Sequence, residues 1–168
     1  MKTTSNHKQH VSEKITAAIL TISSTKRYED DVSGKKIKEM LGKKGHIIQE
    51  YAIIDDDQEV IRTKVEELTG NPDIMAVITT GGTGITARDV TIEAVKPLYK
   101  KELVGFQLLF NMLSFKAVGS ASILSRASAG VINNTPVFSL PGSPDAVELG
   151  VKEIIMPELG HIVNHLHE

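Results

Sequence analysis

The chain has 168 residues, 40% hydrophobic and 24% charged, which suits a single soluble globular domain with its own core. Nineteen Lys and Arg against 21 Asp and Glu leave a net charge of −2 with no long basic block, so the electrostatic footprint of a nucleic-acid binder is excluded. There is no cysteine, which excludes disulfides, thiolate zinc sites and cysteine nucleophiles, and no apolar run approaches the ~20 residues of a membrane span.

The opening segment MKTTSNHKQHVSEK is polar and lacks the apolar stretch of a secretory signal. Residues 1–13 are expected to be a flexible tail, residues 14–168 one domain, and the location cytoplasmic. The run Ile15 to Ile22 reads as a buried first strand, followed by a polar loop in which Glu29, Asp30 and Asp31 are loop charges and a helix cap. In SGKKIKEMLGKKG the recurrence of Ile37, Met40 and Leu41 predicts a helix. A second strand is predicted over residues 46–54, then a helix whose face carries Ile61, Val65 and Leu68 and which stops at Gly70. Ile74 to Thr79 is apolar on both faces, as an interior parallel strand is.

Past a glycine-rich loop, TIEAVKPLYKKEL predicts a helix broken or kinked near Pro97. GFQLLFNMLSF is apolar almost all the way round, so this helix must be covered on more than one side. AGVINNTPVFSLP predicts two short strands about Asn133-Asn134, with Pro136 placing the second at an edge or at its own start. The last helix should begin at Ser143 and break near Pro157. This alternation implies a three-layer α/β/α sandwich with a mainly parallel sheet, in which ligands bind at the carboxyl ends of the strands.

Three loops fall at those ends. In TTGGTGITARDVT, Gly81, Gly82 and Gly84 permit positive φ and close backbone approach, so that N–H groups can turn inward on an anion. A P-loop NTPase is excluded, because no lysine occurs between Lys64 and Lys96. Gly82 to Ala87 does match the looser dinucleotide pattern G-x-G-x-x-A. It follows the third strand rather than the first, and the acidic residue about 20 positions on, Glu102, is expected in a helix. A plain tight turn is the other reading. Arg88 offers a two-point clamp for phosphate and Asp89 a carboxylate for Mg²⁺; alternatively, the two form a surface ion pair at a helix start.

In the second loop, Asp56 and Glu59 fit a capping box, which does not preclude metal binding by the free carboxylate oxygen. In the third, Ser143, Pro144 and Asp145 read as the first positions of a helix whose N-terminus favours anions, with Gly142 leaving its backbone open. Ser125 and Arg126 either reach a substrate or are a buried serine and a solvated arginine. His161 and His165, one helical turn apart, fit a metal pair or, more simply, a polar face.

Taken together, TTGGTGITARDVTIEAV, GFQLLFNMLSF, ASILSRASAGV and FSLPGSPDAVELG, in this order and spacing, resemble the MoaB/MogA family of molybdenum cofactor biosynthesis proteins, and its shorter MoaB type in particular. The resemblance implies a MogA-like fold, a homo-oligomer that is a trimer or a dimer of trimers, and a pocket for molybdopterin, with other proteins of the pathway as further partners. It also implies adenylylation of molybdopterin by ATP, with Mg²⁺ as cofactor. Carried onto this chain, the catalytic and metal-holding aspartates are Asp56 and Asp89. Around the substrate stand Thr80, Gly81, Gly82, Thr83, Gly84, Arg88, Ser125, Pro141, Gly142 and Ser143. Proline often precedes the family's first aspartate where this chain has Asp55, so Asp55, Asp56 and Asp57 are neighbouring candidates for that position. Members of the MoaB type need not be enzymes, and the alternative is a non-catalytic molybdopterin-binding or scaffolding subunit.

Overall fold

The structure is a computed structural model that describes residues 14–168; the expected tail over residues 1–13 lies outside the described residues. The elements run β1 (Thr16–Ile22), α1 (Val32–Lys43), β2 (Ile47–Ile54), α2 (Gln58–Gly70), β3 (Ala76–Thr80), α3 (Thr91–Val95), β4 (Lys101–Glu102) and α4 (Val104–Val118). They continue with β5 (Ser128–Ile132), β6 (Thr135–Leu140), α5 (Pro144–Gly150) and α6 (Met156–His167). The strands form one mixed sheet in the order β2-β1-β3-β6-β5-β4. The first four in that order are parallel, and β5 and β4 add antiparallel pairs at one side.

Strand periodicity builds the two cores. Along β1, Ala17 and Ile19 face a layer made by α1, α4, α5 and α6, where Phe106, Phe110 and Phe138 cluster; Ala18, Leu20 and Ile22 face α2 and α3. Helices therefore cover both faces, as the alternation of elements implies. Among the described residues no helix is long and apolar enough to cross a membrane.

Two details depart from the sequence expectation, and one choice that it left open is decided. Lys101–Glu102 is a short strand rather than helix: Pro97 sits in a 3₁₀ turn, and the chain is then drawn onto β5 by the Lys100 N–H, which donates to the Val131 carbonyl at 2.8 Å. Pro136 stands at a strand start but not at an edge, for β6 lies between β3 and β5; the β3 ladder begins only at Val137, so the missing N–H is tolerated. The last helix does not break at Pro157. A π-helical turn, Val151–Ile155, joins α5 to α6 just before the proline and absorbs its missing donor.

Candidate functional site

The glycine loop leaves the carboxyl end of β3 and is held by its own polar groups. Gly81 and Gly82 have φ of 99° and 64°. A Cβ on Gly82 would overlap Thr91 Oγ1, and that hydroxyl donates to the Gly81 carbonyl at 2.8 Å. Thr91 N–H donates to the Gly82 carbonyl at 3.0 Å, so α3 begins directly beneath the turn. Further along, the Asp89 carboxylate accepts from Thr86 twice, from its N–H at 2.9 Å and its hydroxyl at 2.6 Å. These bonds, led by the Thr86 hydroxyl and joined by the Thr86 and Gly84 amides, hold the Asp89 carboxyl below the usual carboxylate range and keep it ionised at neutral pH.

The aspartate triplet after β2 is sorted by the fold. Asp57, not Asp56, caps α2: its carboxylate accepts from the N–H groups of Glu59 at 2.9 Å and Val60 at 3.0 Å. A one-residue shift of the expected cap leaves Asp56 free to turn toward the glycine loop. There Arg88 donates to it through Nε at 3.1 Å and Nη2 at 3.5 Å, and the Ser24 hydroxyl donates as well. The Ser24 bond first, then Arg88, lowers the Asp56 pKa. The Arg88 side chain is 67% exposed and that of Asp56 only 20%. Asp55 is exposed, and Arg88 pairs with the carboxylate across the cleft rather than with neighbouring Asp89.

The third loop meets the first. Thr80 Oγ1 donates to the Pro141 carbonyl at 2.9 Å, Gly81 N–H donates to the Leu140 carbonyl at 3.0 Å, and a Cβ on Gly142 would stand 3.3 Å from the Gly81 Cα. Ser33 Oγ, at the start of α1, donates to the Gly142 carbonyl at 2.7 Å. Ser143 is the N-cap of α5, accepting from Ala146 N–H at 3.3 Å. Thr80 and Thr83 are both buried, the former with its hydroxyl committed to Pro141. Ser125 lines a cleft of about 260 Å³ together with Pro141, Ser143 and Asp145, walled by Ala117, Val118 and Leu149. The fold thus gathers Thr80 to Gly84, Arg88 and Asp56 at one sheet edge, beside Pro141, Gly142, Ser143 and Ser125.

Arg126, its side chain 33% exposed, is bound to the glycine loop and to Glu93 rather than left free in solvent. The signal in the sequence was only its place after Ser125, and no spacing rule links it to a loop some 40 residues earlier. Asp31, expected as a cap, does cap α1 but is also buried, accepting from the hydroxyls of Thr21 and Tyr51, both at 2.5 Å. His161 and His165 have ring centroids 4.6 Å apart, and each Nδ1 faces a glutamate, Glu158 or Glu168. No group of three or more His, Cys, Asp or Glu side chains among the described residues could hold a metal.

Comparison with known proteins agrees with this architecture. The family described as "Probable molybdopterin binding domain" matches residues 18–161. Molybdenum cofactor biosynthesis protein B of Bacillus anthracis is 46% identical over 162 residues, 96% of each chain, and that of Bacillus subtilis is 44% identical over 163 residues, again 96% of each. A crystal structure of molybdenum cofactor biosynthesis protein B superposes with a TM-score of 0.90 at 47% identity, covering 95% of this chain and 99% of that one. The tungsten cofactor synthesizing protein MoaB of Pyrococcus furiosus superposes with a TM-score of 0.82 at 40% identity, covering 94% and 99%. With such identity over nearly the whole of both chains, the protein belongs to the molybdopterin-binding-domain family, alongside the molybdenum cofactor biosynthesis proteins B.

Proposed function

We propose that this protein of the molybdopterin pathway binds molybdopterin at the sheet edge where the Gly81–Gly84 and Pro141–Ser143 loops meet and adenylylates it with Mg-ATP. The observation that carries the reading is that these two loops are bonded to each other at one sheet edge, through Thr80 and Pro141, with Asp56, Arg88 and Asp89 beside them. In the reaction an oxygen of the terminal phosphate of molybdopterin attacks the α-phosphorus of ATP. A new P–O bond forms, the bond to the β-phosphate bridge breaks, and pyrophosphate leaves. No covalent intermediate on the protein is needed, so its work is positioning and electrostatics. Backbone N–H groups of the glycine loop hold phosphate oxygens, and Arg88, released from Asp56, neutralises charge that builds on the transferred group.

The donors suit Mg²⁺. Asp56 and Asp89 are hard oxygen ligands kept ionised by their hydrogen bonds, and Mg²⁺ is ordinarily held by one or two carboxylates together with water and substrate phosphates. Asp56 and Asp89 would hold the ion, which when bound supplies charge neutralisation to the phosphates. The test is incubation with molybdopterin and Mg-ATP. Pyrophosphate and adenylylated product arising only when all three are present support the enzyme; tight molybdopterin binding with no pyrophosphate makes the protein a binding subunit instead.

The active form on this reading is a homo-oligomer. Only Phe106, Phe110 and Ser114 of α4 are buried, whereas Leu108 and Phe115 are 65% and 61% exposed and Ile123, just beyond, is 82% exposed. A contiguous apolar face of this kind on a chain of this size calls for cover. Light scattering at micromolar concentration is expected to read about three or about six chains per particle, with Leu108→Glu and Phe115→Glu together reducing it to one. A monomeric wild type would rule the assembly out.

A further inference from the structure

All three guanidinium nitrogens of Arg126 donate to the phosphate loop or to the helix behind it. Nε lies 2.8 Å from the Gly84 carbonyl and 3.3 Å from that of Thr83, and Nη2 lies 3.1 Å from the Asp89 carbonyl. The outer edge of the guanidinium meets Glu93 fork to fork, at 2.5 Å and 3.2 Å. Glu93, on α3, is held below its usual carboxylate range by this contact, so the pair is charged at neutral pH.

Peptide planarity turns these contacts into an orientation. In a trans peptide the carbonyl and the following N–H point in opposite directions, and the described residues contain no cis bond. With the Thr83 and Gly84 carbonyls drawn to Arg126, the N–H groups of Gly84 and Ile85 must point the other way, and Gly84 lies against the Asp89 carboxylate. The Gly84 amide indeed acts on the Asp89 carboxylate. We propose that Arg126 is a positioning residue of the phosphate site: by holding three loop carbonyls on one side it fixes the backbone of the loop on the other, setting the Ile85 amide and, through the Gly84 N–H, the Asp89 carboxylate in place for the ligand. This rests on the reading of the loop as a phosphate site given above. A lysine in its place would present one compact ammonium, unable to serve three carbonyls and a carboxylate in fixed directions.

The experiment compares wild type with Arg126→Gln and Arg126→Lys in full-length protein. Adenylyl transfer from ATP to molybdopterin, thermal melts and amide hydrogen exchange of residues 81–90 are recorded. Expected are a kcat at least about tenfold lower for Arg126→Gln, a KM for molybdopterin changed by less than about threefold, and loop amides exchanging at least about tenfold faster. Arg126→Lys is expected to fall between, and millimolar guanidinium to restore part of the Arg126→Gln rate. A merely structural ion pair would give lower melting with no rescue and no kcat-specific loss. Turnover within about twofold of wild type in both variants overturns the role of Arg126. If Arg126→Gln does not fold, Arg126→Lys is judged by the same measures. A wild type that shows no molybdopterin-dependent turnover overturns the proposal together with the reading of the site, whereas active wild type with unaffected variants overturns Arg126 alone.

Discussion

The sheet has two ends, and both turn the chain through positive φ, for different reasons. At the amino end of β6 the hairpin from β5 passes through Asn133 and Asn134, with φ of 49° and 62°, a two-residue connection whose only task is to reverse direction. At the carboxyl end of β3, Gly81 and Gly82 adopt similar angles where a Cβ has no room, pressed by the Ile22 carbonyl and the Thr91 hydroxyl. Asparagine suffices where conformation alone matters; glycine is required where backbone must also lie against backbone. The same contrast holds for polar groups. At the amino end His46 Nδ1 merely accepts the Ile15 N–H, at 3.2 Å, closing the start of β1. At the carboxyl end Asp56, Arg88 and Asp89 stand on loops that meet across an open edge.

The largest effect expected from this contrast is on catalysis. Asp56→Asn and Asp89→Asn should each lower adenylyl transfer at least ~100-fold in single-turnover assays, with molybdopterin affinity little changed. Wild-type rates in either variant remove that residue from the mechanism and weaken the distinction between the two ends. A sharper comparison sets Gly82→Val against Asn134→Ala. The first meets both positive φ and the Thr91 hydroxyl and should cost roughly 2–3 kcal/mol along with molybdopterin affinity. The second meets only the angle and should cost about 1 kcal/mol with binding intact. Calorimetric titration beside chemical denaturation separates the two; equal losses of affinity would mean that the glycine loop is no more than a turn.

The smallest effect is a pH dependence confined to the amino end. Burial lowers the His46 pKa below the ordinary imidazole value, and its acceptor role needs the neutral ring. In the unfolded chain the imidazole titrates near about 6.5, so below that pH the unfolded state binds the extra proton first and stability falls until the folded pKa is passed. The contribution is complete above about 6.5 and within about 1.5 kcal/mol, the worth of one hydrogen bond. Denaturant melts from about pH 8 to about pH 5 should show a shallower slope for His46→Gln than for wild type, with adenylyl transfer at the upper pH unaltered. Parallel slopes would show that His46 titrates equally in both states.

Much of this was legible in the residues themselves. The apolar runs that become β1, β2 and β3, the helical spacing of Ile61, Val65 and Leu68, and the Ser143-Pro144 helix start are local patterns, and local physics decides them. That the glycine and Pro141 loops share an edge follows from the parallel order of strands. Where neighbouring residues of the same type compete, periodicity is silent: Asp56 and Asp57 both suit a cap, and only the approach of Arg88 shows which carboxylate is left over. Contacts between distant segments are silent too. Arg126 meets Gly84 because β5 begins beside the loop in space, and the pairing of Lys101–Glu102 with β5 is equally a tertiary fact that overrides a helical run of lysine and glutamate.

The pairing of Asp56 with Arg88 makes two ligands of opposite sign into allies. On the proposed reading, a cation drawn to the carboxylate competes with the guanidinium, and an anion that takes the Nε edge of the guanidinium competes with the carboxylate. Whichever arrives first has removed the competitor of the second, and linkage requires the benefit to be mutual. A cation that travels already joined to a phosphate meets both groups in one encounter, so the proposed function expects a metal-bound nucleotide to bind more tightly than either component alone. Because Arg88 is largely in water, added salt loosens the pair and this cooperativity shrinks with ionic strength.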